Sequence, residues 1–300
     1  MQNQTVNNPL KVIPIILKSR VPIIFVWNWF SALSLLIARG GFPPIIPSIL
    51  LLLSVFCIVF SVYIYNDAQD EIMDKENPVK KLRPIPSGQV KKGDVEKIAY
   101  LFGGIGLVLA WLVNIYSFVF LLAFFIIFFS YSYPKIRLKN KFLGKDFTLF
   151  IGTPLISLAA NYAVSDTFSF LAFITSFFSA FLGLTVGPVV NESSDIIEDK
   201  KYGVKSISTM LNWKQKVQFM LFGIIVLTVL MPIIHIQYGA NLILPIISIG
   251  LCMTLLILTY PLIQSYDRKK LWRSRTFTAA YFLIFPIQFV LLSLQVPVFF

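Results

Sequence analysis

Charge is scarce in this chain. Only 13% of its 300 residues are Asp, Glu, Lys or Arg, about half the share found in soluble domains. Hydrophobic residues make up 57%, and mean hydropathy is +0.77. That balance excludes an ordinary soluble globule and defines an integral membrane protein. Histidine and cysteine are nearly absent, with His235, Cys57 and Cys252 the whole supply. No disulfide framework or His/Cys metal centre is available, and two thiols inside apolar runs read as inert. His235 lies near a predicted helix end, where interfacial placement is a better reading than catalysis. No polar linker divides the apolar runs, so residues 1–300 read as a single domain. Residues 1–8 are polar and lack the layout of a secretion signal.

Hydropathy predicts nine spans, at 22–38, 43–65, 96–113, 116–134, 147–164, 168–190, 215–236, 241–264 and 276–296. The first reads as short. Pro154, Pro188, Pro232, Pro245 and Pro286 fall inside spans, which membrane helices tolerate. Asn28, within span 1, faces either the cavity or another helix. The 29 phenylalanines need no cofactor to explain them, since lipid contact and core packing suffice. Every Lys and Arg except Arg39 falls in the N-terminal segment or in the loops after spans 2, 4, 6 and 8, and every acid except Asp166 shares that side. The positive-inside rule makes this side cytoplasmic, with the N-terminus inside and the C-terminus outside. The net charge of +12 favours anionic lipids or substrates on this face. Nucleic acid is a poor partner, because the basic loops lie beside membrane spans and carry no recognition motif.

The loops after spans 2 and 6 repeat one pattern. Asn66-Asp67-Ala68-Gln69-Asp70-Glu71-Ile72-Met73-Asp74 and Asn191-Glu192-Ser193-Ser194-Asp195-Ile196-Ile197-Glu198-Asp199 both read N-[DE]-x-x-D-x-x-x-D. Acids at i, i+3 and i+7 share one helix face. Two such faces turned toward each other would repel unless a cation lay between them. Mg²⁺ suits hard oxygen ligands and binds through a few carboxylates plus substrate phosphates. The pattern therefore points to a diphosphate gripped through Mg²⁺, with Asp67, Asp70, Asp74, Asp195, Asp199 and the longer Glu192 as candidate ligands. Glu71 and Glu198 fall on other faces, where they read as solvated or salt-bridged.

Basic residues accompany each motif. Motif one runs on through Lys80-Lys81-Leu82-Arg83-Pro84-Ile85-Pro86-Ser87-Gly88, a proline-stiffened loop whose Arg83, Lys80 and Lys81 suit phosphate oxygens. Motif two continues into Lys200 and Lys201. The loop after span 4, Tyr131-Ser132-Tyr133-Pro134-Lys135-Ile136-Arg137-Leu138-Lys139, alternates three cations that either grip phosphate or simply set topology. Its tyrosines also match interfacial anchors. Arg268, Lys269, Lys270, Arg273 and Arg275 read as a topology determinant.

Taken together, these motifs resemble the UbiA family of intramembrane prenyltransferases. The resemblance spans nearly the whole chain. Asn66-Asp67-x-x-Asp70-x-x-x-Asp74 and Arg83-Pro84-Ile85-Pro86-Ser87-Gly88 match the family pattern, whereas Asn191-Glu192 departs from it. The resemblance implies an all-α bundle of nine transmembrane helices around a central cavity with a cytoplasmic cap and a lateral opening to lipid. It implies two Mg²⁺ ions between the motifs, a polyprenyl diphosphate donor and a small acceptor. Asp70, Asp195, Arg83 and Lys135 are then the catalytic expectation. Asn66, Arg83, Lys80, Lys81, Tyr131, Lys135, Arg137, Lys139 and Lys200 are the diphosphate-binding expectation. The acceptor reading leans to an aromatic or quinone-pathway precursor. Geranylgeranylglyceryl phosphate and chlorophyllide remain open, as do a membrane terpene cyclase and a non-enzymatic lipid transporter. A prokaryotic plasma membrane is the simplest location.

Overall fold

The computed structural model describes residues 9–190 and 195–294. Its helices run α1 (Pro9–Arg39), α2 (Ile45–Gln69), α3 (Glu71–Glu76), α4 (Lys92–Val113), α5 (Ile115–Ser132), α6 (Gly144–Val164), α7 (Phe170–Val190), α8 (Asp195–Lys201), α9 (Ile207–Met210), α10 (Trp213–Gln237), α11 (Ile243–Thr259) and α12 (Arg268–Ser293). Nine of these, all but the short α3, α8 and α9, are long and apolar enough to cross a membrane, and the described residues contain no β-strand. The protein is therefore an all-helical, multi-pass membrane protein.

Burial is divided between two cores. Trp27, Phe60, Tyr65 and Phe124 belong to the first, whose residues come from α1, α2, α4, α5 and α6, with Ile85 and Val90 from the loop before α4. Phe178, Met220, Tyr281, Phe285 and Phe289 belong to the second, built mainly from α7, α10, α11 and α12. α1 serves both, giving Trp27 to the first and Leu33 and Ile37 to the second.

Lipid supplies no hydrophobic drive between helices, so close approach and polar contacts hold them together. Ser54 Oγ donates to the Gly106 carbonyl at 2.7 Å and Ser61 Oγ to the Ala99 carbonyl at 2.6 Å, joining α2 to α4. A Cβ at Gly106 would lie 2.6 Å from Ile58 Cγ1, so only glycine permits this approach. Asn114 makes the tight turn between α4 and α5: its Oδ1 accepts from Ser117 N at 2.8 Å, and its Nδ2 donates to the Tyr162 carbonyl at 2.6 Å. Trp29 Nε1 reaches the Leu283 carbonyl at 3.0 Å and ties α1 to α12.

Several expectations need correction. Span 1 is not short, because α1 is 31 residues long and continues through Pro14 and Pro22. Its charged early turns enter the bundle because Arg20 meets a carboxylate there, described below. Asn28 is half-buried, and its Nδ2 donates to the Ile24 carbonyl of its own helix at 3.1 Å, with no bond to another helix among the described residues. Pro245 sits in the first turn of α11, where no intrahelical N–H is lost. His235 is fully buried, with its ring 5.5 Å from that of Phe289. Both cysteines are buried and free.

Candidate active site

The first acidic motif straddles a helix junction. α2 ends at Gln69, and Asp70 adopts φ −96°, ψ 8° between it and α3. Asp70 N still bonds the Asn66 carbonyl at 2.9 Å, and Asp74 N bonds the Asp70 carbonyl at 2.8 Å. Helical spacing is thus nearly preserved through the break. Asp67, Asp70 and Asp74 are 7%, 7% and 2% exposed, a burial that ionised carboxylates sustain only with partners.

Each of the three has cationic partners. Arg20 Nε donates to Asp67 Oδ2 at 2.6 Å, and a second guanidinium nitrogen closes on Oδ1. Arg83 bridges two acids, 3.1 Å from Asp67 and 2.9 Å from Asp74. Lys80 stands 3.9 Å from Asp74. Lys139 pairs with Asp70, and Arg137 lies 3.4 Å from the same oxygen. Asn66 Nδ2 donates to Asp70 Oδ2 at 3.0 Å and to Ser132 Oγ at 2.6 Å. Burial pushes the Asp74 carboxyl up despite Arg83 and Lys80. Burial likewise pushes the Lys139 ammonium down, against the pull of Asp70 and, more weakly, Asp199.

The second motif faces the first. Asp199, 6% exposed, accepts from Lys145 Nζ at 2.7 Å. Glu198 is buried rather than solvated and accepts from Asn77 Nδ2 at 3.0 Å, with no salt bridge among the described residues. Lys201 and Glu76 add an exposed pair at 2.6 Å between the same two helices, α8 and α3. Asp195 opens α8, while Asn191 and Glu192 lie outside the described residues.

A strained loop carries the cations between the motifs. Arg137 (φ 43°) and Leu143 (φ 54°) both take left-handed backbone conformations, unusual for non-glycine residues. Leu143 N bonds the Lys205 carbonyl at 2.9 Å, and Asp146 Oδ2 accepts from Ile207 N at 2.9 Å, which fastens this loop to the segment after motif two. The loop places Lys139 and Lys145 at the two acidic motifs.

Below the polar cluster the interior opens. A cavity of about 590 Å³ has Lys145, Asp146, Asp199, Ser208 and Arg275 among its polar lining, with Trp27, Phe30, Phe150 and Phe282 along its apolar walls. A smaller space of about 190 Å³ lies against Asn66, Tyr131 and Phe128, and shares Tyr63 and Leu149 with the first.

Of the residues singled out by sequence, the structure brings together Asn66, Asp67, Asp70, Asp74, Lys80, Arg83, Arg137 and Lys139, with Tyr131 beside them and Asp199 across the site. Lys81, Lys135 and Lys200 are exposed and pair with no carboxylate among the described residues. Sequence reasoning missed Arg20 and Lys145. Arg20 stands before an apolar run and Lys145 after a glycine, and neither belongs to a motif. Arg275 had been read as a topology determinant only, yet it lines the cavity.

Fold and site together define a membrane-embedded helical protein with carboxylates and cations closing one end of an apolar cavity. The chain belongs to the UbiA prenyltransferase family, whose model matches residues 27–284, and it is accordingly a prenyltransferase. It is 26% identical over 274 residues to the digeranylgeranylglyceryl phosphate synthase of Thermococcus kodakarensis, covering 88% of this chain and 92% of that protein. The enzyme of the same name from Sulfurisphaera tokodaii is 27% identical over 258 residues, covering 83% and 86%. Among solved structures, a digeranylgeranylglyceryl phosphate synthase superposes with a TM-score of 0.73 at 20% identity, over 95% of this chain and 99% of that one. A UbiA homolog from Archaeoglobus fulgidus bound to DMAPP and Mg²⁺ gives 0.67 at 15% identity, over 94% and 99%. These superpositions establish the shared fold.

Among the described residues, no three His, Cys, Asp or Glu side chains converge to hold a metal ion by themselves. The donor set is nevertheless the right chemistry for Mg²⁺, with buried carboxylate oxygens in two facing groups. Mg²⁺ commonly takes only one or two protein carboxylates and completes its shell with phosphates and water.

Proposed function

We propose that this protein transfers a prenyl group from a polyprenyl diphosphate to the hydroxyl of a phosphate-bearing glycerol lipid, with Mg²⁺ required. One observation carries the donor half: Asp199 and Lys145 stand at the polar end of an apolar cavity, and the buried, cation-paired Asp67, Asp70 and Asp74 gather in the motif facing them. A diphosphate belongs at that end and a prenyl chain among the aromatic walls. The acceptor half is supported by the names of the curated relatives, both digeranylgeranylglyceryl phosphate synthases. This favours the glycerol lipid, the alternative left open by the sequence, over the aromatic acceptor to which the sequence reading leans.

Asp67, Asp70 and Asp74 would hold Mg²⁺ on one side, and Asp199 with Asp195 on the other. When bound, the metal neutralises diphosphate charge and stabilises it as a leaving group. Arg83, Arg137 and Lys139 turn from their carboxylates to the diphosphate oxygens, where preorganised cations act strongly in a dry site. The allylic C–O bond breaks, and its electron pair leaves with the diphosphate. Trp27, Tyr63 and Phe150 offer π-faces to the allylic cation and keep water from it. The acceptor hydroxyl oxygen then forms the new C–O bond, and its proton leaves with the released diphosphate. The polar end is the cytoplasmic face in this reading, since the basic loops gather there.

The test uses purified protein, Mg²⁺ and geranylgeranyl diphosphate, with diphosphate release and lipid products measured. Parallel reactions contain no acceptor, geranylgeranylglyceryl phosphate, 4-hydroxybenzoate, 1,4-dihydroxy-2-naphthoate, homogentisate or chlorophyllide. A product formed only with the glycerol lipid supports the reading. Product from an aromatic acceptor alone overturns the acceptor half, and hydrocarbon made without acceptor makes the protein a cyclase. Asp70→Ala and Asp195→Ala are each expected to abolish turnover in folded, inserted protein. Unchanged turnover in both rejects the site.

A further inference from the structure

The cations facing the interior fall into two groups. Arg20, Arg83, Arg137, Lys139 and Lys145 each meet an aspartate. Arg275 lines the same large cavity and meets none among the described residues. It lies seven residues inside α12, about 10 Å along the helix from its first residue. It is exposed at the basic end of α12, just ahead of the predicted span 276–296, where a guanidinium can reach both water and the cavity.

Arg275 shares the cavity with Asp199 of the second motif but comes from a different part of the bundle than the first motif. α12 packs on α1, α7 and α11, whereas the first acidic motif belongs to α2 and α3. Two turns further along α12, on the same face, Phe282 also lines the cavity and packs edge-on against Phe30 of α1, with centroids 5.1 Å apart. Gly183 of α7 stands opposite, close enough that an added Cβ would touch Phe282 at 3.4 Å. Ser208 of α9 adds a hydroxyl to the polar rim. This wall therefore offers a free guanidinium at the polar rim, then an aromatic and small-residue surface running into the membrane. That sequence of environments fits an amphiphile with an anionic headgroup.

We propose that Arg275 is the acceptor's phosphate-binding residue, and that the wall formed by Phe282, Phe30 and Gly183 holds the acceptor's hydrocarbon chain. Donor and acceptor then carry separate anion sites: the motif cluster takes the diphosphate, and Arg275 takes the single phosphate. Guanidinium suits this task because it forms paired hydrogen bonds to phosphate oxygens. The inference rests on the proposed use of a phosphate-bearing acceptor.

Steady-state kinetics of the full-length chain in detergent test it, with geranylgeranyl diphosphate, Mg²⁺ and geranylgeranylglyceryl phosphate. Arg275→Gln is expected to raise the acceptor KM at least tenfold (about 1.4 kcal/mol) while the donor KM stays within about twofold. Arg275→Lys should recover part of the loss. Arg273→Gln removes a charge from the same helix outside the cavity lining and should leave both constants unchanged. An unchanged acceptor KM in Arg275→Gln overturns the proposal, as does a rise confined to the donor KM. Equal use of the neutral alcohol lacking phosphate by the wild type also overturns it, while leaving prenyl transfer to a glycerol lipid intact. Should the wild type instead prenylate only an aromatic acid, the acceptor reading fails, and this inference fails with it as a phosphate site. Arg275→Gln measured on that acid then shows whether Arg275 reads its carboxylate. If Arg275→Gln does not fold, Arg275→Lys carries the comparison, and equal acceptor KM values in Arg275→Lys and wild type, with equal use of the neutral alcohol, count against the proposal.

Discussion

Asn77 and Glu198, 121 positions apart, meet through a buried hydrogen bond of 3.0 Å, and with it the two acidic motifs are held face to face. Asn77 also caps its own turn, since its Oδ1 accepts from Val79 N at 2.9 Å and Lys80 N at 3.0 Å. One side chain therefore sets both the exit from motif one and its distance to motif two. Asn77→Ala is expected to lower turnover at least tenfold and raise the Mg²⁺ concentration needed for half-maximal rate. Hydrogen bonds to charged groups contribute about 1.5–3 kcal/mol. Glu198→Gln keeps an acceptor oxygen and should lose far less. Equal losses in the two variants would mean that the Glu198 charge matters rather than the bridge.

Arg20 compensates Asp67 from a different helix. Arg20→Gln leaves Asp67 with Arg83 at 3.1 Å as its remaining cation among the described residues. Breaking a buried pair from one side commonly costs about 3–5 kcal/mol, and the second partner places this case at the low end. The expected result is a lower melting temperature in detergent without Mg²⁺, partly reversed when Mg²⁺ is added, because the metal would supply the missing positive charge. Thermal unfolding with and without Mg²⁺ measures both.

These two relationships show how far the sequence could be read. Periodicity and acid spacing were enough for nine spans, the helical class and the faces of Asp67, Asp70 and Asp74, because those features are local. Arg20 does not read as a site residue because its partner is 47 residues away and it falls just before the predicted span 22–38. Glu198 was set aside because helix-face geometry places it away from Asp195 and Asp199; nothing local shows that Asn77 fills the facing position. Lys145 follows the same rule, pairing with Asp199 across 54 residues. Contacts between distant segments depend on how helices pack, and a single sequence carries no direct signal for them.

Gly144 allows the strained loop to close. A Cβ there would overlap the Leu138 carbonyl oxygen, which is backbone and cannot swing aside. Gly144→Ala must therefore displace residues 138–144, and with them Lys139 and Lys145. The expected signature is a fall in turnover of about tenfold or more, in keeping with small misplacements at active sites, with little change in membrane insertion. Gly223→Ala provides the contrast. It would crowd Thr185 between α10 and α7, and neither residue lines the cavity or belongs to an acidic motif. Overpacking of this kind costs about 1–3 kcal/mol, so it should lower thermal stability while folded enzyme keeps its specific activity.

Metal dependence should carry a pH signature. EDTA is expected to abolish turnover and excess Mg²⁺ to restore it. Burial raises the Asp74 carboxyl above the ordinary aspartate range, so protons compete for it at a higher pH than they would for an exposed aspartate. The ionised form is the one that binds metal. As pH falls toward that raised range, Asp74 takes up its proton and the Mg²⁺ concentration for half-maximal rate must rise. At pH well above it, the carboxylate is fully ionised and Mg²⁺ demand becomes flat. Asp74→Asn removes the titrating group. It should show a weaker Mg²⁺ response at every pH and lose the part of the pH dependence due to Asp74. An Mg²⁺ requirement that rises equally steeply in wild type and Asp74→Asn would place the titration on another group.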